Sequence, residues 1–355
     1  MNQLNKFIAE KAKELNIDIC GFTDALALIN IRDYLILRKD NNIQTEFEEK
    51  DIDKRIDPKL TMPNCKSIIV IGISYNIEAK RTVPLASCEQ TKRTVPTVCG
   101  RLSKSTWGID YHMVLKNKMN LLIEELKKVT DFEYKCFVDT GPLIDRELAK
   151  KAGIGYYGKN CSIINDDYGS FIFLGYIMTN LDLDPSEKLE EDCGDCNLCI
   201  KACPTGALEE PYKLNPKKCI SYLTQTKDNI PTELREKMGV KIYGCDTCQL
   251  VCPKNKDIKR SSHMEFLPKI SNGYVNIEEL LGMSNREFKK KYGEMAGSWR
   301  GKTILKRNTI IALANMKKEE NLNLLISQLD DSNPMIKEYT EWAIVNIFLT
   351  RLSTK

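Results

Sequence analysis

Eight of the fourteen cysteines fall between residues 193 and 252. The first four read Cys193-x2-Cys196-x2-Cys199-x3-Cys203-Pro204. This is the bacterial ferredoxin spacing, in which three thiolates grip one [4Fe–4S] cube and the fourth reaches a second. The tight run wraps the chain around a cube and aims backbone N–H groups at its sulfides, and Pro204 then turns the chain away. A second run, Cys245-x2-Cys248-x3-Cys252-Pro253, has the last three positions but lacks the first, and Cys219 is the nearby cysteine that can supply it. The cross-over rule predicts two sets: Cys193, Cys196, Cys199 and Cys252 for cluster one, and Cys203, Cys219, Cys245 and Cys248 for cluster two. Structural zinc is the alternative, since it also takes C-x2-C pairs. The third close cysteine and the Cys-Pro ending favour cubes. The chemistry implied is one-electron transfer over a short distance, which does not name a substrate.

A chain of 355 residues is too long for one small module, so two or three domains are expected. Charged residues are plentiful but balanced, 53 basic against 49 acidic, and apolar content is ordinary for a soluble globular protein. No apolar run reaches membrane-spanning length; SIIVIGISY (67–75) is strand-sized. The N-terminus patterns as an amphipathic helix with Leu4, Phe7, Ile8, Ala12 and Leu15 on one face, and lacks the form of a signal peptide. A cytosolic protein without membrane contact is expected. The other cysteines, Cys20, Cys65, Cys88, Cys99, Cys136 and Cys161, are scattered, and disulfides are not expected in that compartment.

The cysteine region must be positioned by what surrounds it. Upstream, SIIVIGISY, YKCFVDT (134–140) and SFIFLGYIM (170–178) are strand candidates, separated by helical patterns such as 111–129. Alternation of strand and helix predicts an α/β domain large enough to hold a cofactor. Glycines cluster at 153–158, but no GxGxxG follows a strand there, so a dinucleotide site of that type is poorly supported. Asp139 ends a strand and precedes Thr-Gly-Pro. Two readings stay open on the residues alone: an acid held at a cavity mouth, or a cap for a helix starting near Leu143. From Gly301 onward, apolar residues at helical spacing on either side of a DDSNP turn predict about one and a half HEAT-like helical units. A helical cap over the cluster region is the plainer alternative. Basic residues flank the redox region: Lys254, Lys256, Lys259 and Arg260, then Arg300, Lys302, Lys306 and Arg307. They are either solvated faces or a surface for nucleic acid.

VDTGP (138–142), ELAKKAGIGYYGKN (147–160), YGSFIFLGYIMT (168–179), KCISYLTQTK (218–227), IYGCDTCQLVCPKN (242–255) and GSWRGKTILKRN (297–308), together with the cysteine runs, resemble the epoxyqueuosine reductases over nearly the full length. The resemblance implies an α+β multidomain fold. Residues 1–185 would form an α/β cobalamin-binding domain, 186–260 a ferredoxin-like domain with two [4Fe–4S] clusters, and 261–355 a HEAT-like helical domain. It implies reduction of epoxyqueuosine to queuosine at the tRNA wobble position, an unidentified low-potential electron donor, and a monomer. Asp139 becomes the proton donor, with a pKa raised by burial beside the corrin. Arg55, Ser103, Ile163, Leu174, Ser221 and Asp246 fall at cobalamin-facing positions. Gln225 and Lys227, with Lys254, Lys256, Arg300, Lys302, Lys306 and Arg307, are the tRNA-contact candidates. Ser103-Lys104-Ser105-Thr106 departs from the family's Ser-Arg-Tyr-Ala. Asp110-Tyr111-His112 imitates the start of a cobalt-histidine motif, but Leu115 stands where that motif has glycine, so His112 is expected to pack or hydrogen-bond. Two other functions fit the cysteines: a cobalamin-dependent reductive dehalogenase, and a two-cluster electron carrier. The carrier leaves the upstream domain and the Asp-Thr-Gly-Pro turn unexplained, and the dehalogenase leaves the basic helical region unexplained.

Overall fold

The computed structural model describes residues 2–78, 98–268 and 273–353; Cys88 lies outside them. A four-stranded sheet organises the first half. Its strands are β1 (Ile19–Asp24), β2 (Ser67–Ser74), β3 (Tyr134–Phe137) and β4 (Ile172–Thr179), in the order β1-β2-β4-β3. Every residue of β2 is buried, as its unbroken apolar run predicts. The pleat sends Ile69, Ile71 and Ile73 into one core and Ile68 and Val70 into another. The N-terminal helix (Gln3–Glu14) and the helix Tyr111–Lys127 cover the first face. Leu28, Leu35, Ile56, Leu148 and Ile154 cover the second. The elements mix helix and strand as expected, but all pairings in this sheet are antiparallel, which corrects the α/β reading. Alternation in sequence did not produce crossovers, because the helices and loops return each strand beside its partner in the opposite sense.

The glycines at 153–158 serve a small hairpin, Tyr156–Tyr157 with Ile163–Ile164, rather than a phosphate loop. The expected boundaries at 185 and 260 are crossed by packing. The strand Cys99–Leu102 pairs in parallel with Lys241–Tyr243 and antiparallel with Tyr274–Asn276. One apolar core joins Leu102, the segment Ile220–Leu223, Ile242 and the helices Lys302–Met316 and Pro334–Ser353. Among the described residues twelve cysteines are free, including all eight of the two runs. Among the described residues no helix is long and apolar enough to cross a membrane.

Candidate active site and cluster sites

The two cysteine runs fold against each other, with Cys219 beside the second. Burial pushes the Cys219 thiol up to about 11, and its neighbours Cys245 and Cys203 add to the shift. Cys199 and Cys252 are raised first by burial; Cys252 and Cys193 lie near Cys199, and Cys193 and Cys196 near Cys252. Cys248 senses Cys219, Cys245 and Cys203, and also Cys199, so the two sets adjoin. Burial opposes ionisation of Cys203, but backbone N–H groups of Leu208, Ala207 and Thr205 and the Thr205 hydroxyl hold its pKa below the usual thiol value. Amides aimed at sulfur are the surroundings that a cube's thiolates use.

Beside Cys219 and the second cysteine run, the set expected for cluster two, lies a cavity of about 660 Å³. Ser221, Tyr243 and Gln249, each within two residues of a cluster-two cysteine, line it. Asp139 stands on its rim at the end of β3, in a left-handed conformation (φ 58°) that aspartate tolerates better than most residues. The turn is locked behind it: a Cβ on Gly141 would lie 2.1 Å from the Tyr176 hydroxyl. Asp139 does not cap the following helix, Asp145–Lys151, whose N-cap is Ile144. The Tyr111 hydroxyl donates to Asp139 Oδ2 at 2.7 Å. Tyr111 is itself stacked between His112 and Phe173, with centroids at 4.1 and 4.2 Å. His112 Nδ1 bonds Asp110 at 2.7 Å, which leaves Nε2 3.9 Å from Asp139 Oδ2.

Sequence reasoning expected Asp139 to be buried, yet its side chain is 66 % exposed at the rim. The more enclosed carboxyl is Asp145, half-buried, whose Oδ2 accepts the Asp139 N–H at 3.2 Å. Burial, and then the charge of Asp139, push its pKa up to about 7. Asp145, Tyr111, His112, Tyr243 and Trp299 all line the cavity, and of these only Tyr111 and His112 had a sequence signal, dismissed as a decoy.

Of the expected cofactor positions, Arg55, Ile163, Leu174 and Ser221 line the cavity with Asp139. Arg55 is held there by Glu48 at 2.6 Å. Ser103 and Asp246 do not line it. Ser103 Oγ and the Lys104 N–H both donate to the Asp246 carboxylate, and Ser105 and Thr106 take the wall instead. Gln225, expected at a tRNA surface, is also in the wall, where Tyr243 O–H donates to it at 2.8 Å. Lys227 and Lys256 are exposed, Lys254 pairs with Glu191 at 3.0 Å, and Lys302 Nζ donates to the Met283 carbonyl at 2.6 Å. Arg300 pairs with Glu46 and lies over Phe47 and Trp299 near the mouth. Lys306 and Arg307 are a correction. Arg307 is fully buried and donates to the Thr226 and Leu223 carbonyls at 2.7 and 2.8 Å; Lys306 is buried and pairs with Asp331. Neither can meet a phosphate, because both serve the packing of their helix.

A carboxylic acid on a cavity rim, with eight free cysteines in two ferredoxin-type runs beside the wall, fits a redox enzyme of the iron–sulfur class. Residues 192–255 match the 4Fe-4S double cluster binding domain family, and residues 55–140 match the epoxyqueuosine reductase QueG family. The epoxyqueuosine reductase of Bacillus cereus is 42% identical over 347 residues, covering 97% of this chain and 89% of its own. A crystal structure of epoxyqueuosine reductase with an epoxyqueuosine-modified tRNA-Tyr stem loop superposes with a TM-score of 0.91 at 43% identity, over 97% of this chain and 90% of that one. A Bacillus subtilis epoxyqueuosine reductase structure, with its catalytic aspartate loop swung out of the active site, matches with a TM-score of 0.90 at 42% identity, over the same shares. The chain belongs to the epoxyqueuosine reductase family and is an oxidoreductase.

Proposed function

We propose that the protein reduces the epoxide of epoxyqueuosine at the tRNA wobble position to the alkene of queuosine, with cobalamin in the cavity and electrons drawn through two [4Fe–4S] clusters. The observation that carries this reading is the placement of Asp139 on the rim of a cavity whose wall includes the neighbours of cluster-two cysteines. The residues fit a corrin. The cavity adjoins a second of about 980 Å³ through Glu48, Arg55, Ile144, Arg146 and Cys161, which line both. Apolar Ile163, Ile172 and Leu174 suit a macrocycle face, and Ser162, Ser170 and Gln249 suit its amide fringe. Arg38, which lines the second cavity, has a buried Nε without a partner. Bound there, cobalamin supplies a metal that changes oxidation state one electron at a time beside the substrate.

The overall change takes up two electrons and two protons and releases water. As the first carbon–oxygen bond breaks, the oxygen gains negative charge, and Asp139 gives it a proton. A second proton carries that oxygen off as water while the carbon–carbon double bond forms. Tyr111 fixes the direction of the Asp139 carboxyl, and His112 Nε2 is the adjacent group able to return its proton. Cys203, Cys219, Cys245 and Cys248 would hold the cluster nearer the cavity, and the other four the outer one. The helices Lys302–Met316, Leu322–Ile326 and Pro334–Ser353 fit a short HEAT-like unit that braces the cluster-two segment. Anaerobically purified protein, assayed for cobalt, iron and sulfide and then given epoxyqueuosine-containing tRNA and a strong reductant, should yield queuosine in a nucleoside digest. Unchanged tRNA from fully loaded protein would refute the reading.

A further inference from the structure

One loop touches both the cysteine runs and the cavity wall. It spans residues 158–162, at the tip of the hairpin Tyr156–Tyr157 with Ile163–Ile164. Below the tip, Tyr156 and Ile164 share an apolar cluster with Cys252, and Cys193 packs against it. At the tip, Cys161 shares another with Cys199, while Cys161 and Ser162 also line the cavity. Lys159 Nζ donates to the carbonyl of Gly194, between Cys193 and Cys196. Asn160 thus stands between two residues placed with the set expected for cluster one. Two backbone bonds of 2.8 Å close the loop: Gly158 N–H to the Ser162 carbonyl, and Cys161 N–H to the Gly158 carbonyl. Asn160 itself is 6 % exposed. Its Oδ1 accepts the Ser162 N–H at 3.1 Å, which orients the amide. Its Nδ2 is buried and has no hydrogen-bond partner among the described residues. A buried amide N–H is costly without an acceptor.

We infer that Asn160 tunes cluster one: its Nδ2 donates to a sulfur of that cluster and raises its reduction potential. The inference rests on the reading of Cys193, Cys196, Cys199 and Cys252 as the ligands of one [4Fe–4S] cube. The sulfides and thiolates of a cube carry negative charge, and they are the acceptors that this part of the chain is built to surround. Reduction adds one electron to the cube and breaks no bond, so the sulfurs become better acceptors. A donor aimed at one of them therefore binds the reduced form more strongly than the oxidised form. Backbone amides of the cysteine runs supply such donors locally. Asn160 supplies one from outside the runs, on a loop that also reaches the cavity wall through Cys161 and Ser162. Cluster one is thereby made easier to reduce by a low-potential donor, and its setting is tied to the domain in which the electrons are used.

The test uses anaerobically purified holoprotein, with iron and sulfide counted first. A parent that binds no cubes overturns the cluster reading and the inference together; a parent with two cubes leaves the inference to the measurements that follow. In an EPR-monitored redox titration, Asn160→Leu, similar in shape but without the donor, should keep both cubes and lower one potential. The expected change is about tenfold in the reduction equilibrium, or about 59 mV for one electron, while the other cluster moves little. The same shift should appear in the Cys219→Ala background, where cluster one is the cluster expected to remain. A second measurement needs no change at Asn160. With asparagine side-chain amides labelled with heavy nitrogen, pulsed EPR of the reduced parent should show a nitrogen coupled to a cluster. That coupling should persist in Asn197→Ala, which removes the exposed asparagine of the first cysteine run. Unchanged potentials in a fully loaded Asn160→Leu protein, an uncoupled parent, or a coupling lost with Asn197 would each overturn the inference. If Asn160→Leu does not fold, the labelled parent and Asn197→Ala decide it alone.

Discussion

Replacing Asp145 with Asn should stabilise the protein, and by more at pH 8 than at pH 5.5. The Asp145 carboxyl has a pKa near 7 in the folded chain, raised by burial and then by Asp139. In the unfolded chain it returns to about 3.9. The fold therefore favours the neutral form. Stability from this group is fully present below about pH 4, falls as pH rises toward 7, and is constant above. Linkage puts the loss at about 2 kcal/mol at pH 5.5 and about 4 kcal/mol at pH 8, as upper bounds. Asn is neutral throughout and escapes it, so the variant's advantage should grow by up to about 2 kcal/mol between those pH values. For a chain of this size that is a few degrees in Tm. Thermal melts of anaerobic holoenzyme followed by near-UV circular dichroism, parent and variant at both pH values, measure it directly. An offset in Tm equal at both pH values, or one that turns against the variant at pH 8, refutes the argument. The carboxamide oxygen of Asn can still accept the Asp139 N–H, now held at 3.2 Å. Turnover should thus survive in Asp145→Asn and fall in Asp145→Leu, which keeps the bulk and loses the acceptor.

Asp139→Asn should keep iron, sulfide and cobalt content and lose epoxide reduction by at least about 100-fold, the scale of a lost general acid; a digest showing parent-like queuosine formation would remove Asp139 from the chemistry. Cys219→Ala should damage cluster two and spare cluster one, and two unchanged EPR signals with full iron and sulfide would overturn the ligand assignment. Arg307→Met should lower stability by about 2–4 kcal/mol through two unsatisfied buried carbonyls. The fall in Tm should far exceed any change in tRNA affinity or its salt slope, and a large affinity loss in a variant as stable as the parent would reinstate Arg307 as a phosphate contact.

The cluster region was legible because its chemistry is local: a cube fixes spacing within a few residues, and thiols of the two runs lie near enough to shift one another's ionisation. The strands were legible because β2 and β4 carry continuous apolar runs. Their sense was not, since antiparallel pairing depends on how remote segments return to the sheet. The cavity wall failed for the same reason. Tyr111, Asp145, Tyr243 and Trp299 meet from four separate stretches, and nothing in the spacing of any one stretch announces the others. Asp145 is the instructive miss. It lies six residues from Asp139, and an environment argument assigned burial to the wrong member of the pair. The turn leaves the Asp139 carboxyl exposed in a left-handed conformation and ties its backbone to the half-buried Asp145.

Lys306 and Arg307 show how composition misleads about position. Two adjacent cations near a redox module look like a phosphate contact, but a helix covered on every side buries even its basic residues when each finds acceptors. Arg307 and Asn308 together bond the carbonyls of Leu223, Thr224, Thr226 and Ile242. Those carbonyls belong to the segment between Cys219 and Cys245 that also supplies Ser221, Gln225 and Tyr243 to the cavity. The helix therefore holds Cys219 and Cys245 and this stretch of the cavity wall in one rigid segment. A basic pair read as an arm for RNA braces the segment between the cysteine runs instead, and of the expected basic contacts Arg300 is the one that lies, with its aromatic neighbours, near the cavity mouth.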